Sequence, residues 1–543
     1  MYMSNNIFAE KSDGRVDVVS TNQGKVYFYV PEGSENLDRV SIVPILFMFG
    51  DEKYTEASAK ETAIRSGLAD IANREGSIVV FINPEVDTWR ESDVNTYLEV
   101  LSHFTENERV ATTIEDGPYP GFVERVYVYG EGSGADFVAK YLTKQIVFKQ
   151  PEPWGPRDVT PAFITLVNNT VLPSNPDPGY DNDIPIIAIN PVEGTEERLK
   201  ELNKKRGFYK VLTTVKHEGL VKDLILSTYD ELAGTTRRIE GGIVQLVNFE
   251  AEGITESIEV RELSTGSIRY HSYIPNHLDL GKEGDIPLVM IFHGGGNTAE
   301  FHALTSEWPL VGKEHDFIVV SVDRHVERKS GDMIELLEIL LEEYPAIDKT
   351  RVYASGFSMG AVKTWNLGAN FPQYFAAIAP MGAGFVPEEL DIFNLKKSNL
   401  EAIEELEILP YTLPVFYVGG ALSPLPEIPS QPTPNSVDAA LAFYFKMNKV
   451  DQSYKYDAQA DETWGASPFK SYTLQNELLD RKYAVSLYRS EDDQIYTALV
   501  ATEKSHLIYD MDAWIAWDFI SQFRRTPDGT VTRTVNDADY NRK

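Results

Sequence analysis

Cysteine is absent from all 543 residues, which removes disulfides and thiolate chemistry from consideration. A reducing compartment suits such a chain, and so does a mature secreted form. Long hydrophobic runs are missing too: none approaches the roughly 18 residues of a membrane-crossing helix. The opening stretch, MYMSNNIFAEKSDG, has neither a basic nor an apolar leader segment. The chain therefore reads as cytoplasmic, without a signal peptide. Positive charge is scarce: 50 Lys and Arg stand against 83 Asp and Glu, a net charge of −33. That balance disfavours nucleic acid and anionic membrane as partners, and the scattered acids read as a solvated surface. Cofactor signatures are also missing. No GxxxxGK[ST] loop occurs, and His217-Glu218 is followed by Gly-Leu-Val rather than completing HExxH. Neither a metal nor a cofactor is expected.

Hydrophobic residues make up 42% of the chain, enough for large cores, and the length implies at least two domains. The sequence contains itself twice. GKVYFYVPEGSENLDRVSIVPILFMFGDE begins at Gly24, and GSIRYHSYIPNHLDLGKEGDIPLVMIFHGGG begins at Gly266. Each has an alternating strand, a proline, a polar stretch readable as a hairpin, a second proline and an apolar strand. SIVVFINPE at Ser77 matches FIVVSVDRH at Phe317, and VYVYGEGSGA at Val126 matches VYASGFSMGA at Val352. YDELAGTTRR at Tyr229 answers WDFISQFRR at Trp517. Apolar strands alternating with helices predict an α/β fold, a mainly parallel sheet flanked by helices, in two tandem copies over residues 1–247 and 248–543.

The second copy carries the chemistry. GFSMG, Gly356 to Gly360, follows a strand and precedes a helical pattern. That is the context of a nucleophile elbow, in which small flanking residues let a serine hydroxyl project above the sheet. Ser358 is the candidate nucleophile. HGGG, His293 to Gly296, directly follows the strand PLVMIF. The amides of Gly294, Gly295 and Met359 are candidate oxyanion donors. Of nine histidines only His506 follows Ser358, so it is the candidate base in the chain order Ser, acid, His. The acid should follow the strand LPVFYVGG. Glu427 is the favoured carboxylate, with Asp438, Asp451, Asp457 and Asp461 as rivals.

GFSMG with IFHGGG resembles the α/β-hydrolase esterases related to polyhydroxybutyrate depolymerases and to feruloyl or acetyl-xylan esterases, over Gly266 to about Arg525. In that family the acid is commonly Asp in a GxxDP context. Here the stretch reads Gly420-Ala-Leu-Ser423-Pro424, keeping the proline and losing the Asp. The resemblance implies a serine carboxylester hydrolase acting on short-acyl or aryl esters of feruloyl, acetyl or hydroxyalkanoate type, free or on an oligosaccharide. A serine peptidase of the same fold and a catalytically silent binding module are the alternatives.

The first copy departs at each of these positions. Gly132 stands where the second copy has Ser358, and Gly50, Asp51, Glu52 and Lys53 stand where it has HGGG. The first copy thus reads as the same fold without its chemistry, although a histidine, His217, remains roughly where His506 sits in the second copy. Two further stretches bear on the cleft. Trp464, in DETWGASPF, is a candidate wall for an acyl or aryl pocket. The segment from Phe385, with helical spacing in EAIEELEIL, is a candidate cap.

Overall fold

The computed structural model describes residues 14–34, 42–105, 119–149, 156–174, 180, 182–213, 222–238, 240–390, 395–430, 433–476 and 481–534. The chain forms two compact units, Met1–Asn248 and Phe249–Lys543.

In the first unit eight strands make one sheet: β1 (Arg15–Thr21), β2 (Gly24–Val30), β3 (Ile45–Phe49), β4 (Ile78–Ile82), β5 (Val126–Glu131), β6 (Phe163–Val167), β7 (Ile186–Ile189) and β8 (Tyr209–Leu212). Their spatial order is β1-β2-β4-β3-β5-β6-β7-β8. Only the β1–β2 and β2–β4 pairs are antiparallel. Central strands such as ILFMF and IVVFI are buried throughout, because alternate side chains enter two different cores. Phe47, Val80 and Val128 face one core, and Leu46, Val79 and Tyr127 face the other.

The second unit repeats this plan with β9 (Ile254–Leu263), β10 (Gly266–Pro275), β11 (Ile286–Phe292), β12 (Ile318–Val322), β13 (Ile347–Phe357), β14 (Ala377–Met381), β15 (Val415–Gly420), β16 (Lys470–Asn476), β17 (Arg481–Arg489) and β18 (Ile495–Thr502). The order is β9-β10-β12-β11-β13-β14-β15-β18-β17-β16. Its first eight places reproduce the first unit strand for strand, including the two antiparallel pairs. The β16–β17 hairpin extends the edge. Mostly parallel sheets covered by helices, with a strand–turn–helix elbow at the centre, are the α/β-hydrolase architecture.

The repeat reaches side-chain detail. Each unit ends in a helix followed by a short strand whose last arginine is buried. Arg237 donates to the carbonyls of Pro161, Gly241 and Asp183. Arg525 donates to those of Phe375, Gly529 and Thr412.

One expectation is corrected. The polar stretches after Pro31 and Pro275 do not turn hairpins between the strands they join. β2 pairs with β1 and β4, and β10 with β9 and β12, because β3 and β11 are interior parallel strands flanked on both sides. Among the described residues no helix is long and apolar enough to cross a membrane.

Candidate active site

β13 runs straight into Ser358, which opens the helix Met359–Asn370. The turn between them is sharp. Ser358 has φ 54° and ψ −114°, a region that costs a side-chain-bearing residue about 1–3 kcal/mol. Two glycines make it sterically possible. A Cβ at Gly360 would lie 2.0 Å from the Phe292 carbonyl oxygen, and one at Gly356 would lie 2.4 Å from that of Gly360. The elbow therefore packs directly on the end of β11, where HGGG begins. Gly294 lies against Ser358, with its would-be Cβ 3.6 Å from the serine Cβ, and Gly295 lies against the Met359 side chain.

His506 sits in the loop between β18 and the helix Asp510–Ile520. Its Nε2 is 2.8 Å from Ser358 Oγ and its Nδ1 is 2.6 Å from Glu427 Oε1. A carboxylate only accepts, so Nδ1 carries the hydrogen and the Nε2 lone pair faces the serine hydroxyl. Glu427 is 1% exposed, and its second oxygen accepts the Gly420 N–H at 2.6 Å. Gly419 and Gly420 let three segments converge there. A Cβ at Gly419 would meet the Glu427 carbonyl at 2.1 Å, and one at Gly420 would meet the Lys504 carbonyl at 2.5 Å. The Phe357 and His506 rings lie 4.8 Å apart.

Ser358, His506 and Glu427 are thus brought together, with Gly294, Gly295 and Met359 around the serine. Three of the four rival acids are engaged elsewhere, and the fourth, Asp451, is exposed. Asp438 caps its own helix and accepts from Tyr454, while Asp461 holds the Thr463 and Trp464 amides. Asp457 accepts the Gln459 amide in a local turn.

Trp464 is not a pocket wall. It is 1% exposed and belongs to the main core, edge-on to Tyr417 at 5.8 Å. Its backbone lies outside the helices and strands, next to Gly465 at φ 62°, and the indole is packed inward. The segment from Phe385 yields a helix at Lys397–Glu404, which buries Leu400 and Ile403. Both join the main core with Phe443 and Phe445.

Spacing did not reveal the layer beneath the HGGG loop. His293, His302 and His325 are all buried there. Burial depresses the pKa of each, that of His302 to about 3 and that of His325 well below the usual imidazole range. Burial thus disfavours the charged form of each. No motif marks His325, and only its place after an apolar strand could have drawn attention to it. Among the described residues no group of three His, Asp or Glu side chains could hold a metal ion.

The first unit has the same turn without the serine. Phe49 pairs with Gly130 as Phe292 pairs with Gly356, which fixes the correspondence. Gly132 keeps φ 56° and ψ −122°. The amide of Ser133, equivalent to that of Met359, donates to Asp51 Oδ1 at 2.9 Å. A Cβ at Gly132 would lie 2.7 Å from the Asp51 carboxylate carbon. An internal carboxylate therefore occupies the anion position. His217 lies outside the described residues.

No protein-family model matches the chain. It is similar to poly(3-hydroxyalkanoate) depolymerase C of Paucimonas lemoignei, 26% identical over 137 residues, covering 22% of this chain and 32% of that protein. It is also similar to the bifunctional acetylxylan esterase/xylanase XynS20E of Neocallimastix patriciarum, 24% identical over 153 residues, covering 25% of this chain and 22% of the relative. The chain thus spans a third or less of these curated relatives. Among solved structures, the acetyl xylan esterase from Aspergillus awamori superposes with a TM-score of 0.33 at 13% identity, over 49% of this chain and 99% of that one. The α/β-hydrolase fold itself is read from strand order and elbow.

Proposed function

We propose that the second unit is a serine carboxylester hydrolase in which Ser358 attacks, His506 shuttles the proton and Glu427 orients the imidazole. One observation carries the reading: a continuous hydrogen-bonded chain from Ser358 Oγ through His506 to a buried carboxylate, behind a strained elbow. In acylation His506 Nε2 takes the serine proton as Oγ adds to the ester carbonyl, then returns it to the departing alcohol. Water repeats the cycle on the acyl-enzyme. The negative oxygen of each tetrahedral intermediate lies toward the amides of Met359, Gly294 and Gly295, helped by the positive end of the Met359–Asn370 helix. Glu427 supports the imidazolium that forms in both steps.

Short-acyl and aryl esters of acetyl, feruloyl or hydroxyalkanoate type, free or on an oligosaccharide, are the proposed substrates, from the motif resemblance and, for the acetyl and hydroxyalkanoate types, by analogy with the relatives' names. The first unit is proposed to be without hydrolytic chemistry, since its elbow has no hydroxyl and its anion position is filled by Asp51.

The test is labelling of the full chain with a serine-reactive phosphonate, paired with turnover of 4-nitrophenyl acetate and methyl ferulate against aminoacyl 4-nitroanilides. Label on Ser358 with ester turnover supports the proposal. Turnover of anilides in preference to esters makes the protein a peptidase, and no label at all makes it a silent module.

A further inference from the structure

The HGGG loop supplies donors only if its peptides face the right way. The carbonyl of His293 accepts a hydrogen bond from His325 Nε2 at 2.7 Å, and the carbonyl of Gly294 accepts one from His293 Nδ1 at 2.7 Å. In a trans peptide the C=O and the next N–H point in opposite directions. Tying down the His293 carbonyl therefore turns the Gly294 N–H away from His325, and tying down the Gly294 carbonyl does the same for the Gly295 N–H. A carbonyl oxygen only accepts, so His325 must carry its hydrogen on Nε2.

We propose that His325 is a positioning residue for ester hydrolysis, its Nε2–H locking the His293–Gly294 peptide so that the Gly294 amide is aimed at the oxygen that becomes negative during attack by Ser358. The inference rests on the esterase reading given above. Three further observations support it. His325 is fully buried and wedged by the His293 ring, edge-on at 4.5 Å, and the Phe292 ring at 5.3 Å, so its ring has one orientation. It lies in the short turn His325–Glu327 just after β12, the strand beside β11, so two neighbouring strands set the distance. The first unit also keeps the bond with a different residue. Trp89 Nε1, in the connection after β4, donates at 3.2 Å to the carbonyl of Gly50, the position equivalent to His293. A ring N–H at this carbonyl is thus part of the repeated plan. In the second unit the peptide it holds carries a glycine amide beside the nucleophile.

Because His325 touches no substrate, its loss should lower turnover without changing substrate affinity. Losing an oxyanion donor outright costs about 10²–10³ in kcat. Loosening one should cost less, roughly 10–100-fold. The experiment compares full-length His325→Phe and His325→Gln with wild type on 4-nitrophenyl acetate, with thermal melts and a crystal structure of each. Phe fills the space but donates nothing, whereas Gln can still present an N–H. We expect His325→Phe to lose kcat in that range with KM within about twofold and His325→Gln to recover most of it. The pH profile of kcat/KM should be unmoved in both, since a neutral buried ring does not titrate with the base. Equal losses in both variants that track their melting temperatures would overturn the proposal in favour of a packing role, as would an unimpaired His325→Phe. The crystal structures serve even if no ester proves to be a substrate. A His293–Gly294 peptide that keeps its orientation in His325→Phe rejects the positioning role, while a wild-type protein neither labelled nor active rejects the esterase reading alone.

Discussion

At the scale of single residues, Ser358, the proposed nucleophile, sits in a backbone conformation suited to glycine. Ser358→Ala and His506→Ala should each remove nearly all turnover, about 10⁴–10⁶ in kcat, because the triad acts as a unit. Glu427→Gln should cost less, since the carboxylate orients and stabilises but does not attack. Steady-state kinetics on a chromogenic ester decides, and a variant at Ser358 with a tenth of normal kcat would dismiss the assignment. Stability should move differently. At φ 54° a Cβ is strained, so Ser358→Gly should be more stable than Ser358→Ala by about 1 kcal/mol in denaturant melts. His271 is a second residue with a readable signature. Burial opposes its charge, but the carboxylates of Asp323 and Glu256 outweigh that and raise its pKa. The folded protein therefore holds this proton more tightly than the unfolded chain. That stabilisation is complete below the unfolded value of about 6.5 and is lost as pH rises through the raised folded value. His271→Asn should accordingly lower Tm more at about pH 5.5 than at about pH 9.

At the scale of elements, what positions His506, the proposed base, is a loop and its clamp. Lys504 is fully buried and paired with Asp512 near the start of the following helix, and the same carboxylate oxygen accepts the Tyr509 amide. His506 lies inside that closed loop. Lys504→Met leaves Asp512 buried without its cation, which should cost about 3–5 kcal/mol in urea melts, with kcat falling alongside. Adding Asp512→Leu should recover much of the stability. If the double variant is no better than the single, the pair is not what holds the loop. Much of this level was legible in the sequence. The elbow and HGGG announce themselves because glycine spacing records a close backbone approach, and the central strands because burial on both faces makes them continuously apolar. Glu427 could be favoured but not fixed, since the loop from Gly420 delivers its acid seven positions on, and a longer side chain makes up the reach. The edge strands β1 and β9 hide behind half-exposed, mixed sequences such as ITESIEVREL. The interior face of Trp464 depends on a turn at Gly465 that periodicity does not encode. His325 had no signal of its own, because a hydrogen bond to a carbonyl leaves no pattern along the chain.

At the scale of the whole molecule, a duplicated fold should hold one working site. Both units keep the strand order, the buried terminal arginine and the elbow conformation, so the first has not lost its architecture. At the top of its central strands two features differ: a hydrogen in place of the CH₂OH at Gly132, and Asp51 bonded to the amide that would receive a negative oxygen. Phosphonate labelling of the full chain should therefore stop at one equivalent, on Ser358, as read by intact mass and peptide mapping. Gly132→Ser alone should not add a second. Its new side chain would be driven into the Asp51 carboxylate, and the strain at φ 56° would no longer be relieved by glycine, so this variant should instead lose about 1–3 kcal/mol of stability. Gly132→Ser with Asp51→Gly removes the collision and frees the Ser133 amide, and should regain part of that loss. It should still remain unlabelled at rates comparable with Ser358, because Glu52 and Lys53 still stand where the second unit has two glycines of HGGG. Label on Ser133, or a second equivalent in the wild-type chain, would mean that the correspondence of Gly132 with Ser358 is misplaced and that the first unit carries chemistry of its own.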